Sequence, residues 1–153
     1  MLYNGFGDHN IQGIGDKHVP LIHNVTNTDL IVGVSDKATD RLDVAFNSAA
    51  GLRALERQGV NSDLTSMLTN LGYSAICNAL AAIKAAKHWG LGPDDVIVTV
   101  ATDGAELYNS EREKVIRRDY PNGFNDAEGE EVVAKYLGDT TTDHVLDMDE
   151  TNR

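Results

Sequence analysis

Two short runs constrain this chain more than anything else in it: DLIVGVSD at 29–36 and DVIVTVATDG at 95–104. Each is apolar, rich in β-branched residues, bounded by Asp and of strand length. Such a run fits a strand buried on both faces, as in a parallel sheet. Parallel neighbours need a long crossover, and the stretch between the two runs is long and helical in pattern. The order strand, helix, helix, strand, helix points to an α/β fold, a parallel sheet with packed helices. Only two strands stand out, too few for an independent doubly wound domain.

The helical pattern is legible in detail. In 35–59, Ser35 or Asp36 can cap, Leu42, Ala45 and Phe46 share a face, Leu52 and Leu55 continue it, and Gly59 is a stop. One or two helices are expected there. A short capped helix is expected within 61–72. Next comes LGYSAICNALAAIKAAK at 71–87, where Ile76, Leu80, Ile83 and Lys87 form a stripe thickened by alanines. HWGLGPDD breaks that helix with two Gly and a Pro. SEREKVIRR at 110–118 reads as a solvated helix, RDYPNGFNDAEG at 118–129 as a loop, and EEVVAKYLG at 130–138 as a short helix. Residues 140–153 read as a polar, acidic tail.

Composition removes several function classes. The chain has 153 residues and a net charge of -11, which argues against a nucleic-acid partner. Its one cysteine, Cys77, excludes an intramolecular disulfide and a cysteine-rich zinc site. No stretch approaches the roughly 18 apolar residues of a membrane span, so no membrane partner is expected. The opening MLYNGFGDHN is not a signal peptide, and a cytoplasmic location is expected.

Most candidate sites have plain structural readings. NGFGDHNIQGIG at 4–15 is glycine-rich, but Asn10 stands where a dinucleotide fingerprint needs its third Gly. His9, His18 and His23 lack helical metal-ligand spacing, and Pro20 interrupts them, so His23 reads as a hydrogen-bonded loop residue. Cys77 reads as a small buried residue. The acidic residues near the C-terminus lack the calcium-loop pattern and its central Gly. On generic grounds Ser74 is an N-cap.

Three segments give Ser74 a second meaning. HNIQGIGDKHVP (9–20), LGYSAICNALAAIKAAK (71–87) and VIVTVATDGAELYNSE (96–111) resemble, in this order, the carboxy-terminal part of the pyridoxal-phosphate enzymes of fold type II. This is the tryptophan-synthase-β-like superfamily, and within it the segments resemble cysteine synthase. The resemblance implies a carboxy-terminal portion of such an enzyme, with 1–153 one α/β region of that fold. It implies pyridoxal 5'-phosphate as cofactor in the complete enzyme and a small amino acid as substrate. The implied reaction is β-replacement or β-elimination through an aminoacrylate. Ser74 would meet the pyridine nitrogen, Gly13 and Gly15 would lie in a loop beside the cofactor, and Asp103 and Gly104 would end a strand near the ring. A homodimer, or association with a missing amino-terminal half, is the implied assembly.

The departures are equally specific. The family has a second Ser and a Gly after the matched serine, where this chain has Ala75 and Ile76. None of its six lysines (17, 37, 84, 87, 114 and 135) stands in the Schiff-base context, so the chain itself is expected to hold no catalytic lysine. The Gly-rich phosphate loop and the Ser/Thr-Gly-Asn segment are also missing. The competing expectations are a non-catalytic α/β module that keeps part of the cofactor pocket, and a nucleotide site at NGFGDHN.

Overall fold

The computed structural model describes residues 5–11 and 17–149, and its architecture is built around one helix. That helix, α1 (Asp36–Phe46), starts where Ser35 accepts a hydrogen bond from the Lys37 amide. It is buried almost all round, from Ala38 to Phe46 with only Arg41 partly exposed. A helix apolar on one stripe alone would not be so enclosed. Here α2 (Ala49–Arg57), α4 (Tyr73–Trp89), α5 (Asn109–Asp119) and α6 (Asp126–Val133) all contact it. Leu42, Val44, Ala45 and Phe46 meet Ala54, Leu55, Ile76, Leu80, Val115 and Val133 in one core.

The polar residues on α1 are enclosed because each has a partner. Asp43 is fully buried, and Arg112 of α5 reaches both of its oxygens, at 2.8 and 3.0 Å. Burial pushes the Asp43 carboxyl above the usual carboxylate range, and the Arg112 guanidinium opposes that shift. Asp40 accepts from Arg118 at 3.0 Å. These bonds fix α5 across α1.

The expectations hold for the helices between 35 and 90, whereas Asp126–Gly129, expected in a loop, opens α6, because Asn125 and Glu128 form a capping box there. The 35–59 stretch is two helices, with Ser48 capping α2 and Gly59 just beyond its end. Asn61 caps α3 (Ser62–Leu68). Gly90, in the left-handed region at φ 64, ends α4. The buried stripe of α4 runs through Ile76, Leu80 and Lys84, whereas Lys87 is exposed. The Lys84 ammonium donates to the Gly33 carbonyl at 2.8 Å.

The sheet is a correction. Among the described residues the strands are β1 (Leu30–Val32) and β2 (Val145–Asp147), paired antiparallel with Ile31 opposite Leu146. The protein is thus mainly helical with a two-stranded antiparallel ribbon. It is not the α/β class with a parallel sheet expected for a tryptophan-synthase-β-like fold. The first run, 29–36, takes its partner from within the segment expected to trail off as a tail. The Met148 amide extends the ribbon by donating to Asp29. Among the described residues the second run, 95–104, forms no ladder, so the expected crossover joins no pair of strands. Among the described residues, no helix is long and apolar enough to cross a membrane.

Candidate functional site

The site begins at Gly72, the N-cap of α4, which has no side chain to cap the helix. Its amide donates to the Asp103 carbonyl at 2.8 Å. A Cβ at this position would lie 2.7 Å from that carbonyl oxygen and 2.9 Å from the Tyr108 ring. Only glycine lets the helix start approach the 102–104 segment this closely.

Ser74 is the second residue of the helix, so it is not the N-cap. Its hydroxyl is held 2.8 Å from the Thr102 hydroxyl, and the residue is 2% exposed. One turn later, Asn78 donates from its side chain to the Val100 carbonyl at 2.9 Å. Gly72, Ser74 and Asn78 therefore hold Asp103, Thr102 and Val100 in reverse order. The start of α4 grips residues 100–103 at three points. Sequence reading missed Thr102 and Asn78; the i, i+4 spacing of Ser74 and Asn78 on one helix face was the available signal.

Aromatic residues close the other side. Tyr73 and Tyr108 stack with ring centroids 4.6 Å apart and planes 9° from parallel, and Ile11 packs on them. The Tyr73 hydroxyl is buried and has no hydrogen-bond partner among the described residues, and burial raises its pKa. Tyr108 donates to the Asp103 carboxylate at 2.9 Å. Burial and that bond push the Tyr108 hydroxyl up to about 12. Cys77 packs against this cluster, and burial raises its thiol to about 11. It is a thiol at neutral pH and no nucleophile.

The structure thus brings together Ser74, Asp103 and Gly104, the last opening the 3-10 turn Ala105–Tyr108. Gly13 and Gly15 lie outside the described residues. His23 is hydrogen-bonded to Thr28, as expected. No cluster of His, Cys, Asp or Glu among the described residues could hold a metal ion. Compared with models of known protein families, with curated proteins and with solved structures, the chain finds no match.

The donor set fits a pyridine nitrogen at one end only. A pair of hydroxyls shares one hydrogen bond and keeps one further proton to donate, and Thr102, unlike Ser74, is exposed. The pair sits at the positive end of a 17-residue helix, which disfavours a second positive charge beside it. The Asp103 carboxylate, which would favour a protonated ring nitrogen, is engaged by Tyr108. The lysine nearest in sequence along α4, Lys84, is ten residues on, about 15 Å at the rise of an α-helix.

Proposed function

We propose that the chain supplies the ring-nitrogen end of the cofactor pocket in a pyridoxal-phosphate-dependent enzyme of amino-acid metabolism. Its chemistry would be cysteine-synthase-like β-replacement or β-elimination on a small amino acid. The observation that carries this reading is the Ser74–Thr102 hydroxyl pair at the first turn of a helix without a side-chain cap. When bound, pyridoxal phosphate draws electron density away from the amino acid's α-carbon. This chain's part is to donate one hydrogen bond from the hydroxyl pair to an unprotonated ring nitrogen. The helix end keeps that nitrogen unprotonated. A neutral ring is the weaker electron sink, which suits loss of a group from Cβ. The amine and the phosphate-gripping groups come from another segment or chain.

The burial of Ser74 favours a second reading, in which the hydroxyl pair only pins the 100–103 segment and the chain is a binding module or partner subunit. Pyridoxine 5'-phosphate separates the two, because its alcohol replaces the aldehyde and its binding needs no lysine. The first reading expects saturable amide shifts confined to 72–78 and 100–104 on titration, abolished by Thr102→Val, which removes the exposed hydroxyl, and weakened by Ser74→Ala, which removes its buried partner. Absence of saturable shifts there, or shifts indifferent to both substitutions, leaves the pinning role alone.

A further inference from the structure

We propose that residues 95–102 are a sheet-forming strand whose partner is an apolar β-strand flanked by lysine or arginine, carried by a different polypeptide. The proposal does not depend on the cofactor. It starts from four β-branched side chains on the outside of the protein. Val96 is 84% exposed, Val98 89% and Val100 62%, while Ile97 between them is 43% exposed. Val96, Val98 and Val100 have the two-residue spacing that places side chains on one face of a strand, and every residue of 95–102 is exposed. Contiguous exposed apolar surface of this kind marks an interaction site.

The backbone identifies what kind of partner fits. Among the described residues, the amides of 96–102 donate no hydrogen bond, and Val100 is the one residue of this stretch whose carbonyl accepts one, from the Asn78 side chain. A row of unused N–H and C=O groups on a β-branched segment is satisfied by another strand, not by a helix or a small molecule. The valine face requires that strand to be apolar.

Charge decides between a second copy and a different chain. Asp94 and Asp95 stand before the valines, and Asp103 and Glu106 after them. Antiparallel self-pairing about Val98 would set Asp95 opposite Ala101 and Asp94 opposite Thr102, beside the other copy's Asp103. Both ends of the ribbon would gather carboxylates, on chains that each carry a net charge of -11. Like charges brought together across a strand pair are destabilising, and opposite ones stabilise it. A strand with basic residues at each end fits both ends at once.

The test uses two synthetic peptides of alternating Val and Thr, one flanked by paired Lys and the other by paired Glu. Binding to the full chain is read by fluorescence anisotropy and by amide-exchange protection at 96–101. The Lys-flanked peptide should bind saturably and protect those amides, about tenfold tighter than the Glu-flanked one, as two or more cross-strand charge pairs provide. The difference should shrink in high salt. Val98→Pro should abolish binding, because it removes a ladder donor, yet leave the melting temperature unchanged, because that amide is unbonded in the free chain. Val98→Ser should weaken binding and also leave folding intact. Equal binding of both peptides, binding without protection at 96–101, or binding indifferent to both variants would overturn the proposal. So would a concentration-dependent dimer of the chain alone with those same amides protected, which would make a second copy the occupant.

Discussion

The runs 29–36 and 95–104 are near equals in composition and opposites in structure. Leu30–Val32 finds β2 and becomes half-buried, whereas Val96–Val100 has no strand partner among the described residues and is exposed. The first run leads straight into the capped, enclosed helix α1, and a complementary segment returns to it at 145–147. The second is gripped at its far end by the start of α4 and opens from a turn in which Asp95 and Gly92 bond to each other. The contrast shows that β-branched composition sets the conformation a segment prefers, while burial depends on whether the rest of the chain brings a partner to it.

The largest test of this contrast sets the enclosed body against the exposed run. Leu42→Ala should cost about 2–5 kcal/mol, because Leu42 is fully buried in the core. Val98→Ala should change stability by less than about 0.5 kcal/mol. Urea denaturation of both variants measures the pair. A loss at Val98 comparable to that at Leu42 would mean that the run is packed in solution.

The grip on the second run should matter next. Gly72→Ala forces a Cβ towards the Asp103 carbonyl and the Tyr108 ring, at a cost of about 1–3 kcal/mol. Its effect should be concentrated locally. Hydrogen exchange should rise at the Gly72 amide and in the first turn of α4, with the core of α1 unaffected. Uniform loss of protection would make Gly72 part of the core and not of the clamp.

What could be read in advance divides along the same line. The helices up to residue 90 were legible because their signals are local: Ser35 before the helical run, the Gly at 59 and 90, and the Leu42, Ala45 and Phe46 face. The sheet was not, because strand pairing is decided by distant residues. The DLIVGVSD run gives no hint that HVLDMD returns to it, and an all-apolar run reads the same whether its two faces are covered or bare. Ser74 was singled out, but its generic reading as a cap fails because Gly72 already occupies that position. Thr102, its partner, lies 28 residues away, and no local pattern joins them.

A smaller effect measures that link directly. Ser74→Ala and Thr102→Val each remove one partner of a single hydrogen bond and should each cost about 1 kcal/mol. In a double-mutant cycle the two losses should not add, with a coupling of about 0.5–1.5 kcal/mol. Ser74→Asp should cost more than Ser74→Ala. The favourable helix end does not offset the burial of a carboxylate at a position that is 2% exposed. Additive losses would show that the two hydroxyls do not meet in solution.

The smallest effect is a change in the chemistry of Cys77, which lies between Ser74 and Asn78 on the helix that grips the run. Its thiol is raised to about 11, chiefly because burial penalises the thiolate, with a lesser push from the Asp36 charge. Alkylation by iodoacetamide at pH 8 should therefore be slow compared with a free cysteine, and should climb as pH approaches 11. An acid whose folded pKa is raised stabilises the fold while it is protonated in both states. That contribution is full below the unfolded value near 9 and is lost as pH rises through the folded value near 11. Cys77→Ser should thus flatten part of the loss of stability in that alkaline window. Removing the hydroxyl pair with Ser74→Ala and Thr102→Val loosens the end of the exposed run and wets the helix face beside it. The thiol should then titrate closer to its ordinary value and alkylate faster at pH 8, although neither substitution touches sulfur. An unchanged rate would mean that Cys77 owes its burial to the Tyr73 and Tyr108 cluster alone, and that the run can open without disturbing the helix that holds it.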